Sequence, residues 1–120
     1  MPFLRICSLK FFSAQTTTTI RQAYVCSGKS PNTLWQIYSN DGITMTIDTS
    51  NCTFTSTPLY FTSVAGFGGH WMLTSYTAIY SPTPISLVVY ARSLNGWNST
   101  DLLYHAQTYQ YDINWFGISN

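Results

Sequence analysis

Apolar and polar residues alternate most cleanly from Ile43 to Thr49, where Ile43, Met45 and Ile47 share one side and Thr44, Thr46 and Asp48 the other. A period of two marks a half-buried strand, because successive side chains of an extended chain point to opposite faces. The same period recurs from Tyr111 to Ile118, with Tyr111, Ile113 and Trp115 set against Asp112, Asn114 and Phe116. Leu59 to Ala65 reads as another strand. Ile85 to Arg92 is apolar on both sides, with Ile85, Leu87 and Val89 on one and Val88 and Tyr90 on the other, which predicts a central strand covered on both faces.

Weaker signals fill the gaps. Arg21 to Val25 and Leu34 to Tyr38 read as short strands, the second with Trp35 and Ile37 on one face, and His70 to Ser75 and Thr77 to Tyr80 as strands with a kink between them. Leu102 to Tyr109 fits a strand or a brief helical turn. Asn40-Asp41-Gly42 predicts a hairpin, since Asp-Gly supplies the positive φ angles of a tight turn. Ser27 to Thr33, Gly66-Phe67-Gly68-Gly69, Ser81-Pro82-Thr83-Pro84 and Asn95 to Asp101 read as loops.

About six to seven short strands with turn signals between them predict an all-β protein, a small antiparallel β-sandwich or barrel. The chain has 120 residues, which suits one domain. That domain is expected over residues 20–120. Residues 1–19 form a separate N-terminal segment, either an edge strand with Phe3, Ile6 and Phe11 partly buried or a weak signal-like stretch whose apolar run Arg5 and Lys10 interrupt.

Composition narrows the function classes. Only 8% of residues are charged against 17% aromatic, Glu is absent, and the formal net charge is +1. The five basic residues are scattered, so no patch exists for nucleic acid. No stretch is long enough to span a bilayer. A surface rich in hydroxyl, amide and phenol groups suits neutral, hydroxylated ligands such as sugars. Cys26 and Cys52 flank two strands and could close a disulfide, leaving Cys7 unpaired; three free thiols in a reducing compartment is the other reading.

Catalysis fails on inventory. The acids are Asp41, Asp48, Asp101 and Asp112, with nothing that pairs them, and neither G-x-S-x-G nor C-x-x-C is present. No catalytic residue, metal site or cofactor is therefore expected. Binding has more support. Trp97 lies in a polar loop, where an exposed ring invites stacking, and Asn95, Asn98 and Asp101 beside it could bond hydroxyl groups. His70 follows the glycine-rich loop and could line a pocket, whereas Trp71, Trp35 and Trp115 read as core. Arg92 is expected to pair with Asp101 or Asp112. Asn51-Cys52-Thr53 and Asn98-Ser99-Thr100 fit the N-glycosylation pattern, at Asn51 and Asn98.

From Phe54 to Ile118 there is a proline-led strand, Thr57-Pro58-Leu59-Tyr60-Phe61, then His70-Trp71, then the apolar Leu87-Val88-Val89-Tyr90, and then Ile113-Asn114-Trp115-Phe116-Gly117. This order resembles the H-type lectin domain of snail agglutinins and discoidin C-terminal regions, although Pro84-Ile85 stands where that family has Gly-Phe. The resemblance implies a six-stranded sandwich, assembly as a homo-oligomer, specifically a trimer, and binding of galactose-type or N-acetylgalactosamine-type glycans. It also implies an aromatic sugar contact at Tyr104. The expected function is a non-enzymatic, carbohydrate-binding module, secreted or displayed on a cell or virion surface. The alternative is a structural or assembly module of a virion, appendage or extracellular matrix that contacts other protein chains. Replacing Trp97 with Ala should abolish sugar binding with little loss of stability under the first reading.

Overall fold

A computed structural model describes residues 22–119 of the chain. The expectations for the N-terminal segment and for Cys7 lie outside the described residues. Among the described residues the strands are β1 (Tyr24–Ser30), β2 (Gln36–Tyr38), β3 (Gly42–Asp48), β4 (Leu59–Ala65), β5 (Leu73–Thr74), β6 (Ser86–Ser93) and β7 (Asp112–Ser119), with one α-helix, α1 (Ser99–Thr108), before the last. They form two antiparallel sheets, ordered β1-β7-β4 and β2-β3-β6-β5. The alternating patterns thus produce the expected small all-β sandwich.

The core lies between the inner faces of the two sheets. Met45 pairs with Val89 and Ile47 with Leu87 across β3 and β6, and all four side chains are buried. Each such burial contributes roughly 1.5–3 kcal/mol relative to exposure. From the other sheet come Tyr60, Ile113 and Trp115, also buried. β7 is last in the chain yet lies between β1 and β4, so it is the central strand of its sheet.

Five expectations are corrected. First, β1 runs on through Ser27–Ser30, which reads as loop from its glycine and the following proline; Gly28 is there because it faces the Trp115 indole across the β1–β7 pair. Second, the β2–β3 hairpin exists, but its positive φ falls on Ser39 (60°), while Gly42 is the buried first residue of β3, packed close under the Tyr38 and Ala91 carbonyls. Third, Trp35 is buried and its Nε1 donates to the Tyr111 carbonyl at 2.8 Å, but Ile37 on the short β2 edge is half-exposed. Fourth, Ile85 precedes β6 and is 59% exposed: its backbone is held in the Pro-containing turn, where its carbonyl accepts from the Thr49 N–H. Fifth, the long strands expected over 70–80 shrink to the two residues of β5, after a 3-10 turn at His70–Met72, and an isolated bridge from Tyr80 to Val88.

Residues 99–108 are helical. Asn98 caps the helix, its side chain accepting from the Asp101 N–H at 2.8 Å, which satisfies one of the orphan donors of the first turn. Leu102 and Ala106, four apart, are buried on one stripe against β2, β3 and β6. The Ser99 N–H donates to the Asn40 carbonyl at 2.8 Å, tying the helix start to the hairpin loop. Among the described residues no helix is long and apolar enough to cross a membrane. Cys26 of β1 and Cys52, in the 3-10 turn after β3, form a disulfide with Cα atoms 5.8 Å apart, tying β1 to the connection between β3 and β4.

Candidate functional site

One end of the sandwich carries a hollow of about 450 Å³ between the Gly66–Gly69 loop, the turn before β5, the 94–97 loop and α1. Its floor is Tyr111, whose side chain is fully buried. The Tyr111 hydroxyl donates to the Gly68 carbonyl at 2.7 Å, and the Phe67 N–H donates to the Tyr109 carbonyl at 2.8 Å. The loop therefore sits directly on this ring. At Gly69, with φ of 77°, a β-carbon would lie 2.6 Å from the Tyr111 hydroxyl, so only glycine fits. Burial raises the Tyr111 phenol above its ordinary pKa, helped by Tyr109, and keeps it protonated as a donor.

The walls are aromatic. On one side the 3-10 turn presents Trp71, 80% exposed. The Leu94 N–H donates to the Met72 carbonyl at 2.9 Å, which anchors this turn to the loop bearing Asn95 and Trp97. On the other side three rings stack: Trp97 on His105 with centroids 3.9 Å apart and planes at 16°, and His105 on Tyr109 at 5.9 Å and 16°. The His105 Nδ1 lies 2.8 Å from the Asp101 carbonyl. A carbonyl only accepts, so Nδ1 carries the proton and Nε2 of the neutral ring is an acceptor. Among the described residues no Lys, Arg or Asp side chain lines the hollow. Its chemistry is that of large ring faces with neutral donors and acceptors.

Of the five ligand-binding residues expected from the sequence, Asn95 and Trp97 line the hollow and His70, Tyr104 and Asp101 do not. His70 sits behind the floor, its ring 5.9 Å from that of Tyr111 and its Nδ1 buried with no hydrogen-bond partner among the described residues. Tyr104 is exposed on α1 and meets His105 edge-on at 5.7 Å. Asp101 is exposed on the first turn of α1, its backbone N–H donating to the Asn98 side chain. The two tryptophans exchange roles: Trp71 is open to solvent, whereas Trp97 is partly buried against the core. Replacing Trp97 therefore also removes packing, and Trp71 is the cleaner probe. His105, Tyr109 and Tyr111 line the hollow as well; the sequence signal for the first two is their i, i+4 spacing, which only the helical reading of Leu102 to Tyr109 puts on one face.

The remaining polar residues are placed as follows. Arg92 pairs with Asp41 at 2.9 Å, across the hairpin, and not with Asp101 or Asp112. Asp112 pairs with Lys29 at 3.2 Å and accepts from the backbone and side chain of Asn32. Asn51 is exposed in a 3-10 turn beside the disulfide, and Asn98 is the helix cap. Among the described residues no group of three His, Cys, Asp or Glu could hold a metal ion. No protein-family model matches the chain, and no curated protein matches it.

Proposed function

We propose that this chain is a non-enzymatic carbohydrate-binding module and that the Tyr111-floored hollow is its sugar site. The observation that carries the reading is Trp71, an indole 80% exposed across an uncharged hollow from the Trp97–His105–Tyr109 stack. An exposed ring of that size in a concave, neutral setting suits the apolar face of a pyranose. The Asn95 amide and the free His105 Nε2 supply the donors and acceptor that sugar hydroxyls need. The ligand class is a neutral mono- or disaccharide, with galactose- or N-acetylgalactosamine-type glycans first by the resemblance to H-type lectins. Stacking and a few hydrogen bonds give weak binding per site, which assembly into a homo-oligomer, a trimer by the same resemblance, would multiply. The Cys26–Cys52 disulfide supports secretion or display on a cell or virion surface.

The test is a glycan array probed with the multimerised protein, followed by the Trp71→Ala variant on any sugar bound. Binding that disappears in the variant supports the reading; no signal for any neutral glycan overturns it. The second reading, a structural or assembly module, is favoured by Leu59 and Phe61, exposed at 68% and 49% on the outer face of the smaller sheet. It predicts that substitutions there, and not at Trp71, impair function.

A further inference from the structure

Among the described residues β4 is an edge of the smaller sheet, hydrogen-bonded to β7 on one side only. Edge strands usually carry something that stops another chain from pairing with them: a lysine, a proline, a bulge or a very short length. β4 has none of these. Its seven residues, LYFTSVA, are uncharged and free of proline, and the register with β7 runs unbroken from Leu59 to Ala65. Among the described residues, the hydrogen bonds that reach it from elsewhere end on side chains: Thr62 Oγ1 donates to the Tyr76 carbonyl and the Tyr60 hydroxyl to the Thr83 carbonyl. On the outer face Leu59 and Phe61 are open to solvent, and Phe61 stacks on Phe116 at 4.9 Å with planes at 18°.

We propose that β4 is a homodimerisation edge, on which two copies pair antiparallel about a two-fold axis at Thr62 and join their three-stranded sheets into one of six strands. This stands independently of the sugar site, since it uses β4 alone. The occupant is a second copy because the strand is complementary to itself. Two-fold pairing sets Leu59 opposite Ala65, Tyr60 opposite Val64 and Phe61 opposite Ser63, a larger side chain against a smaller one each time. No like charges meet. The two Phe61 rings become diagonal neighbours, roughly 7–8 Å apart and within reach of one another, so the Phe61–Phe116 stack continues as a band of four rings. An unrelated extended peptide would satisfy the backbone edge without continuing that band. The paired strand is only roughly 23 Å long, so the contact falls below the roughly 800 Å² per partner of a stable interface. The dimer is consequently concentration-dependent.

Sedimentation of the full chain between about 5 and 500 µM, a range that brackets a micromolar dissociation constant, tests this together with hydrogen exchange at both ends of the range. The expected result is a mean mass rising from one chain toward two, with β4 amides exchanging at least about tenfold more slowly at high concentration. Phe61→Lys and Ser63→Lys, both on the exposed outer face, should stay monomeric throughout. Should Phe61→Lys lose its fold, Ser63→Lys decides alone. A mass that stays at one chain, a mass that rises past two toward the trimer of the H-type lectin resemblance, a dimer that survives Ser63→Lys, or β4 amides equally protected at every concentration overturns the proposal. Trp71→Ala should dimerise like the parent chain, which separates this outcome from that of the sugar site.

Discussion

Gly28 lies directly opposite Trp115 in the β1–β7 register, and a β-carbon at Gly28 would stand 2.7 Å from the indole. The largest side chain of the smaller sheet is thus buried because its neighbour has none. Trp115 in turn meets Tyr60 edge-on at 6.4 Å, so a displaced indole disturbs a second core ring. Gly28→Ala is expected to cost about 1–3 kcal/mol, the usual range for overpacking a close-packed interior. Chemical denaturation checks it, and an unchanged midpoint would show that the indole has room to move.

The two tryptophans of the hollow should separate stability from binding. Trp71 is 80% exposed, so Trp71→Ala should change stability by no more than about 0.5 kcal/mol. Trp97 is partly buried against the core and stacks on His105, so Trp97→Ala should cost about 1–3 kcal/mol, less than the roughly 3–5 kcal/mol of a fully buried ring. Thermal unfolding of the two variants side by side gives the answer, and equal losses would contradict the exchange of roles described above.

That exchange shows where reading a sequence reaches its limit. β3 and β7 are legible because their inward residues recur with period two and the sandwich buries that same set. β1 is not, because a glycine next to a proline is also the mark of a loop, and only the partner strand reveals that Gly28 makes room for Trp115. α1 is ambiguous in the sequence because its buried stripe is narrow, Ser99, Leu102 and Ala106 amid polar residues. With strand and helix both open, His105 and Tyr109 are not fixed on one face, and Trp97 reads as an exposed loop ring. Trp71 looked like core because its sequence neighbours are apolar, yet a 3-10 turn points successive side chains apart and leaves this one in water.

Acid should weaken the fold through Asp112. Burial by itself would raise this carboxyl, but hydrogen bonds from the Asn32 side chain and backbone, with the Lys29 ammonium, outweigh it and hold the group below its ordinary value. A carboxylate whose folded pKa is depressed contributes stability that is complete above its unfolded pKa of about 4 and is lost as pH falls through the lower folded value. Asp48, bonded to Ser50, is shifted in the same direction but is fully exposed and contributes less. Asp112→Asn should therefore flatten the fall in thermal midpoint below about pH 4. The Lys29 side chain is 62% exposed, so added salt should remove only the smaller part of the effect. A parent-like acid slope in the variant would assign the loss to other groups.

Reduction of Cys26–Cys52 should cost more than any of these substitutions, and unevenly across the fold. The bond spans a sequence separation of 26, and freeing a loop of that size relaxes the unfolded chain by about 3 kcal/mol in the chain-entropy model. What remains includes the unbroken β3–β6 ladder and the β4–β7 pair, neither of which involves either cysteine. β1, however, is an edge strand held by β7, the disulfide and the bond from the Tyr24 hydroxyl to the Cys52 carbonyl. With the disulfide open, β1 amides should exchange much faster while those of β3 and β6 fall only by the global loss. Hydrogen exchange before and after reductant, with a Cys26→Ser, Cys52→Ser double variant as control, reads both effects. Uniform loss across all strands would mean that β1 opens only with the whole domain, and no loss at all would remove the disulfide from the list of what holds β1 in place.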